Sequence, residues 1–539
     1  MSDAAAGGDP MAGLRAACAR APRDPAPFVK LARALLAANR AVEAVAPAEQ
    51  AVALAPRFAA ARKARDAVLA AVMAGDPDLV KRELACALEP TNAEAHLALG
   101  QAYVDAGRPH DAERHYKRAL ALGQARDAHA VLAALYLAMA MLDAAEHHAQ
   151  AVLEGADRGE ADDLLFAMAH QTLAGVLEAW GDPQAAAARL GQAYARRSLF
   201  HQPAAGSPFT TLVLVTAGAG NIPYKTLLPP ARWDCLMWYM EHARPEQAQT
   251  LPPYALVLNA IGDPDMATAS DAAVDAFLAV TDRPVLNRPE RVRATFRHRL
   301  PQTLAGLADV ITPPTARLSA EAIAAGGLVA AAAETGLATP LLVRPTASHG
   351  GAGLVLARDV DALAGVEPPG GSDVYLTRFH DYRSADGYFR KYRMIFVDRR
   401  PFPYHLAISP YWMVHHVSAE MAGDPARVAE EMEFLRDPAA AIGARALAAV
   451  TAIGARLDLD YGGVDFTLTE DGQVLVFEAN ATMLTHLEPE DGPFAAKNAY
   501  IRPIIEAFQE HVRATAAGEA TNRQSSILAK GFRDDTHHQ

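Results

Sequence analysis

The chain has 539 residues, of which 51% are hydrophobic and 21% are charged, and this is the composition of a folded globular protein rather than a disordered one. Its formal net charge of −13 argues against general nucleic-acid binding, because there is no basic excess to neutralise phosphates. A chain this long does not fit around one hydrophobic core, so roughly two to four domains are expected.

The three cysteines, Cys18, Cys86 and Cys235, are scattered along the chain and share no metal-ligand spacing. The first residues, MSDAAAGGDPMAG, contain neither the basic segment nor the apolar segment of a secretory signal. No stretch approaches the roughly 20 apolar residues of a membrane span. These observations predict a cytoplasmic protein with neither nucleic acid nor a membrane as a partner.

Residues 1–200 are rich in helix formers and almost free of strand signals. Pro22, Pro56 and Pro90 recur every 34 residues, which is the period of a helix-turn-helix repeat. The clearest unit carries small and large packing residues at Leu99, Gly100, Tyr103, Gly107, Ala112, Tyr116 and Ala119. Two other copies carry matching residues at Leu31, Ala32, Leu35, Ala44, Ala48, Ala51 and Pro56, and at Leu132, Ala133, Tyr136, Ala145 and Val152.

This pattern resembles the tetratricopeptide repeat (TPR). Small residues at fixed positions let helix pairs approach closely and stack into a superhelix. The resemblance implies an all-α solenoid over residues 1–200, with a concave groove that binds a peptide or protein partner. The alternative is an alanine-rich helical bundle without a true repeat.

The character of the sequence changes after residue 200. TLVLVTAGAGN and YALVLNAIGD each read as a buried strand, the first followed by a glycine loop. Alternating strands and helices predict a small parallel α/β lobe over residues 208–290. Paired short strands with intervening helices predict an α+β domain over residues 291–512, and the polar residues 513–539 read as a disordered tail.

The stretch LDYGGVDFTLTEDGQVLVFEANATM, residues 459–483, reads as a hairpin of two apolar strands joined by an Asp-Gly turn. Its strands can aim Asp465, Glu478 and Asn480 at one point, which gives the oxygen donors that Mg²⁺ prefers. The alternative is a pair of surface acids beside a turn. Against it, Glu478 ends an apolar run, where an unpaired carboxylate is costly to bury.

The spacing of these three residues resembles the metal-binding end of the ATP-grasp superfamily. Other segments resemble parts of that family in the expected order, over roughly residues 210–510. Residues 339–357 resemble the hairpin that clamps the nucleotide, and residues 373–382 resemble the hinge strand whose backbone reads adenine. Residues 390–409 resemble the strand pair that supplies an arginine to the transferred phosphate. The expected fold is therefore a TPR-like solenoid, an α/β lobe and an α+β ATP-grasp domain.

The resemblance implies ATP and Mg²⁺ (or Mn²⁺) as ligands, with the metal held by Asp465, Glu478 and Asn480. The residues implied in nucleotide binding are Arg297, Arg344, Gly350, Gly351, Gly353, Leu376, Thr377 and Arg378. Those implied in catalysis are Arg393, Arg344 and His405.

The sequence departs from the family at the two lysines that usually hold the ATP phosphates. No lysine occurs between Lys225 and Lys391. Arg344 occupies the clamp position, and Arg297 is the best candidate for the earlier one, with Arg299 close behind. A planar guanidinium reaches phosphate oxygens differently from a point charge, so this replacement bears on catalytic efficiency and not on the fold.

The histidines near the expected centre have two interpretations each. His405 either faces the phosphate site or points away from it, and His415 or His416 either lines the substrate pocket or is packed or solvated. Residues 429–437, AEEMEFLRD, predict an amphipathic helix with a solvated acidic face.

By resemblance, the expected reaction is ATP-dependent ligation of a carboxylate to an amine through an acyl phosphate, on a peptide or protein substrate recruited by the solenoid. The alternatives are an ATP-dependent phosphotransferase and an inactive scaffold in which the solenoid binds a protein. The missing lysines favour the scaffold, whereas the metal-ligand pattern and the glycine loop favour an enzyme.

Overall fold

Within residues 1–197, one of two units of the chain, every element that the structure describes is an α-helix. The computed structural model describes residues 11–74, 76–154, 160–348, 350–369, 371–414 and 421–518. The helices are α1 Ala12–Arg20, α2 Pro25–Ala37, α3 Ala41–Leu54, α4 Ala59–Ala74, α5 Pro77–Leu88, α6 Ala93–Asp105, α7 Pro109–Ala121, α8 Ala125–Ala138, α9 Leu142–Leu153, α10 Glu160–Ala179 and α11 Pro183–Arg196.

Local chemistry sets the helix starts, and small side chains set the packing. Asp24, Asn92 and Asp182 accept hydrogen bonds from backbone N–H groups in the first turns of α2, α6 and α11. A Cβ on Gly100 would lie 2.3 Å from the Tyr116 ring, so only glycine lets α6 and α7 pack this closely. The repeat residues predicted to pack are buried, except Pro56 and Gly107, which lie exposed in turns, and this confirms a helical-repeat region.

Residues 198–539 form the second unit, which begins with a five-stranded sheet in the order β1-β3-β2-β4-β5. Its strands are β1 Leu199–Gln202, β2 Thr210–Val215, β3 Asp234–Tyr239, β4 Leu256–Asn259 and β5 Val285–Leu286. Strands β2 to β5 are parallel and β1 is antiparallel. The helices of this part are α12 Tyr224–Leu227, α13 Asp271–Leu278, α14 Pro289–Arg293 and α15 Leu300–Thr303.

Two more sheets follow, in the orders β7-β10-β8-β9 and β12-β11-β13-β14-β6. The strands are β6 Val310–Ile311, β7 Thr315–Leu318, β8 Leu341–Pro345, β9 Val355–Ala357, β10 Val374–Arg378, β11 Phe389–Val397, β12 Arg400–Ser409, β13 Tyr461–Leu468 and β14 Val474–Asn480. The helices are α16 Ala320–Glu334, α17 Val360–Ala364, α18 Pro425–Arg436, α19 Pro438–Ile442, α20 Ala444–Leu457 and α21 Asn498–Ala516. The expected fold class, a helical solenoid followed by a mixed α/β region, is confirmed.

The end of the chain differs from the sequence prediction. Helix α21 continues to Ala516 because Ile504, Phe508 and Val512 along its inner face are buried in the core. The predicted disordered tail therefore does not begin at residue 513, and the rest of it, residues 519–539, lies outside the described residues. No helix in the described ranges is long and apolar enough to cross a lipid bilayer.

Candidate functional site

The hairpin of β13 and β14 brings the three predicted metal ligands to one wall. Asp465 lies directly opposite Glu478, and Asn480 lies opposite Gly463. Side chains two residues apart on a strand share a face, so all three point the same way. A Cβ on Gly463 would lie 2.7 Å from the Met394 carbonyl oxygen, and this close approach of two strands requires glycine.

Strand β11 supplies two cations to Asp465. Arg393 pairs with Asp465 across the strands and donates two hydrogen bonds to it, of 2.6 and 2.8 Å. The Lys391 Nζ lies 3.3 Å from an Asp465 oxygen, and the Asp465 side chain is only 1% exposed. Lys391 is a site residue that was not predicted from the sequence. Lys391 and Arg393 are two residues apart on one strand, and this spacing places both side chains on the same face.

Glu478 is held by two arginines from distant segments. Arg297, between α14 and α15, donates a short hydrogen bond to it. The Arg344 Nη1 on β8 lies 3.6 Å from the same carboxylate. Arg297 and Arg344, which stand where the family has lysines, are therefore both close to Glu478, a predicted metal ligand.

Both carboxyl groups are ionised at neutral pH. Burial by itself raises the pKa of Asp465, but the charges of Arg393 and Lys391 outweigh it and hold that pKa below its usual value. Burial likewise raises the pKa of Glu478, and the charges of Arg297 and Arg344 bring it far below the ordinary range. Two ionised carboxylates and an amide oxygen on one wall fit a hard divalent cation.

These residues face a cavity of about 540 Å³ within the second unit. Ten of the predicted site residues line it: Arg297, Arg344, Gly350, Gly351, Thr377, Arg378, Arg393, Asp465, Glu478 and Asn480. Gly353, Leu376 and His405 are not among its lining residues. The Leu376 side chain is fully buried in the apolar cluster of its own sheet, because alternate side chains of β10 point to opposite faces.

The glycine loop joins β8 to β9 and lines the cavity with Gly350 and Gly351. Gly350 and Gly351 have φ angles of 63° and 81°, a left-handed backbone that favours glycine. Arg344 holds the loop in place through Ser348. Its Nε donates a 3.0 Å hydrogen bond to the Ser348 hydroxyl, and its Nη2 donates to the Ser348 carbonyl. The guanidinium thus links the loop to Glu478, which a lysine's single ammonium cannot do in the same way.

An aromatic surface lines the apolar part of the cavity, and the sequence did not predict it. Phe379 and Trp412 meet edge to face with their ring centroids 5.8 Å apart. Tyr382 stacks at an angle on Phe477 with its centroid 4.8 Å away, and its hydroxyl donates to the Trp412 carbonyl. Flat apolar faces of this kind accept a planar ring. Their positions in the chain carry no periodic signal that would group them.

His405 lies in a buried charged cluster rather than at the cavity. Its Nδ1 is 2.5 Å from Glu431 Oε1 on α18, and the Lys497 Nζ is 2.8 Å from the same oxygen. The prediction of a solvated acidic face on this helix is therefore wrong for Glu431, which is fully buried because His405 and Lys497 neutralise it. His415 and His416 lie outside the described residues.

No family model matches the sequence, and no curated protein matches it significantly. Among solved structures, YrrB, a TPR protein with an unusual peptide-binding site, is 20% identical over 34% of this chain and 92% of its own, with a TM-score of 0.19. The VanG D-Ala:D-Ser ligase from Enterococcus faecalis is 12% identical over 58% of this chain and 99% of its own, with a TM-score of 0.35.

The D-alanine–D-alanine ligase from Coxiella burnetii is 11% identical over 60% of this chain and 99% of its own, also with a TM-score of 0.35. Structures of both kinds predicted from the sequence, TPR proteins and ATP-grasp ligases, are thus found among the matches. At these TM-scores and identities the likeness shows nothing about activity.

Proposed function

We propose that the second unit is an ATP- and Mg²⁺-dependent carboxylate–amine ligase. The observation that supports this is one cavity in which two ionised carboxylates face Arg297, Arg344, Lys391 and Arg393 beneath a glycine loop. Phosphoryl transfer is catalysed chiefly by positioning and by neutralising charge on phosphate oxygens. A wall with this distribution of charge provides both.

In the proposed reaction a substrate carboxylate oxygen bonds to the γ-phosphorus of ATP as the bond to the β-phosphate oxygen breaks. An amine then bonds to the acyl carbon, loses a proton and displaces phosphate, leaving an amide. Asp465, Glu478 and Asn480 would hold Mg²⁺, which supplies charge neutralisation at the phosphates. The cations would bind phosphate oxygens, and the glycine loop would exclude water from the acyl phosphate.

Mg²⁺-dependent ATP binding, measured by calorimetry on the full chain, tests this proposal. We expect binding by the wild type, no binding by Glu478→Ala, and undisturbed binding by the control Glu470→Ala, an exposed acid in the turn of the same hairpin. ADP release that requires both a carboxylate and an amine separates the ligase from a phosphotransferase.

An inactive scaffold is the second candidate, and one observation favours it. Both oxygens of Asp465 are hydrogen-bonded to Arg393, so a metal must share or replace those contacts. If wild-type protein binds no ATP at millimolar Mg²⁺, the ion pairs are structural and the scaffold is correct.

The helical unit would recruit a peptide or protein substrate to the ligase. This proposal rests on the presence of a helical repeat in the same chain as the cavity, because stacked repeats form extended concave surfaces that bind partners. Once a substrate is found by ADP release, its turnover by chains with and without residues 1–197 checks the idea. Equal turnover would contradict recruitment.

A further inference from the structure

A cysteine and two histidines from three helices meet inside the helical unit. Cys86 lies on α5, His96 on α6 and His115 on α7. The Cys86 sulfur and one nitrogen of each imidazole ring all lie within 4.8 Å of one another. Cys86 is a free thiol, and Cys86 and His96 are only 5% and 7% exposed. The cysteine that showed no metal-ligand spacing in the sequence thus gains two ligand neighbours in the fold.

The two rings face each other through the same kind of nitrogen. His96 Nδ1 lies 2.9 Å from His115 Nδ1, and His96 Nε2 lies 3.2 Å from the Pro90 carbonyl oxygen. Two facing ring nitrogens must share a proton or bind a cation. Zinc–nitrogen bonds of about 2.0–2.1 Å place two tetrahedral ligand nitrogens about 3.3 Å apart, so a shift of a few tenths of an ångström brings these two nitrogens to the separation of metal ligands.

The protonation states suit a metal at neutral pH. Burial, helped by the neighbouring Arg114 charge, lowers the pKa of His115 to about 3, and burial lowers that of His96. Both imidazoles are therefore neutral, which is the form that binds metals. Burial raises the pKa of the Cys86 thiol to about 11, so a bound ion must displace its proton.

The next repeat provides an internal comparison. His129 on α8 and His148 on α9 have the same separation of 19 residues as His96 and His115, and their Nδ1 atoms lie 2.6 Å apart. Within the ranges that the structure describes, no cysteine or carboxylate completes a trio there. The facing histidines are thus a feature of the repeat, and Cys86 distinguishes the first pair.

We propose that Cys86, His96 and His115 form a binding site for a transition-metal ion of the zinc type. The thiolate and two imidazoles are three ligands, and a water or an external group completes the tetrahedron. On binding, the Cys86 S–H bond breaks, its proton leaves to solvent and a sulfur–metal bond forms, with no change of oxidation state. The ion ties α5, α6 and α7 together.

Cobalt(II) titration of the chelator-treated full chain tests this site, because a thiolate ligand gives cobalt a near-ultraviolet charge-transfer band. We expect that band in the wild type, with one proton released per ion, and its loss in Cys86→Ala and His115→Asn. The matched control His148→Asn keeps the band. Cobalt bound by Asp465 and Glu478 has only oxygen ligands and gives none.

Zinc should also raise the melting temperature of the wild type and leave that of Cys86→Ala unchanged, because ligand binding to the folded state stabilises it. Absence of the charge-transfer band in the wild type overturns the site. So does a band of equal strength in Cys86→Ala, which would move the ion to another cysteine. If circular dichroism shows that Cys86→Ala does not fold, Cys86→Ser is titrated in its place, and the same loss of the band is expected.

Discussion

The two units bury polar groups to different extents. In the helical unit the buried positions are mostly alanine, leucine and valine, the buried Arg40 is paired with Glu43, and the facing histidines are neutral. In the second unit full charges are buried: Asp465 against Arg393, and Glu431 against His405 and Lys497. A buried charge is tolerated only when a partner neutralises it. The helical unit therefore depends on close packing, and the second unit depends on pairing.

Glu431→Ala breaks the pairing most severely. It leaves Lys497 buried without its closest carboxylate, and removing one partner of a buried ion pair costs about 3–5 kcal/mol. The control is Glu433→Ala, an exposed acid on the same helix, which should change little. Urea unfolding followed by tryptophan fluorescence measures both, since Trp233 and Trp238 are buried in the second unit. Equal stability of the two variants would contradict the dependence on pairing.

The same pair predicts a pH dependence. Burial alone raises the pKa of Glu431, but the His405 hydrogen bond and the His405 and Lys497 charges bring it down to about 2, against an ordinary value of 4.5. A lowered folded-state pKa contributes stability above the unfolded value, and this is lost as the pH falls from about 4.5 towards 2. The difference in unfolding free energy between wild type and Glu431→Gln should shrink over that window. A constant difference would show that Glu431 does not titrate there.

Gly100→Ala tests the dependence on packing in the helical unit. The new methyl group meets the Tyr116 ring at 2.3 Å, and overpacking of this kind costs about 1–3 kcal/mol. Far-ultraviolet circular dichroism during thermal unfolding reports it, because the helical unit supplies much of the signal. An unchanged melting curve would mean that α6 and α7 move apart easily.

Arg344→Lys tests whether the cavity of the second unit depends on the geometry of an arginine as well as on its charge. Lysine keeps the charge but loses the fork that joins Ser348 to Glu478. We expect about tenfold weaker Mg²⁺–ATP binding, or about 1.4 kcal/mol, with little loss of stability. Calorimetry measures the first and urea unfolding the second. Tighter Mg²⁺–ATP binding by Arg344→Lys would show that Arg344 weakens nucleotide binding instead of supporting it.

Gly191→Ala is the smallest expected change and the counterpart of Gly100→Ala. A Cβ at this helical position meets nothing within 4 Å. Replacing glycine by alanine inside a helix stabilises by about 0.5–1 kcal/mol. A small rise in melting temperature would show that the stability lost in Gly100→Ala comes from the contact with Tyr116 and not from the change of backbone freedom.

The sequence predicted the hairpin from a short pattern of alternation and a turn, and the resemblance to the ATP-grasp superfamily supplied ten of the residues that line the cavity. The role of Lys391 and the aromatic surface were not predicted from the sequence. The catalytic role of His405 remains a prediction, and the position of His405 away from the cavity does not favour it. His405 faces Glu431 because α18 packs on β12, and no local pattern reports which helix covers a strand.

What the sequence alone determined was local: a helical repeat from small residues at a fixed period, and a hairpin with three oxygen donors on one face. The tertiary structure decided which charges meet, since Arg297 reaches Glu478 across 181 residues and Arg393 reaches Asp465 across 72. It also brought Cys86 to two histidines on other helices. Periodicity is set by neighbours along the chain, whereas ion pairs and ligand clusters are set by how whole elements pack, which no short window of sequence contains.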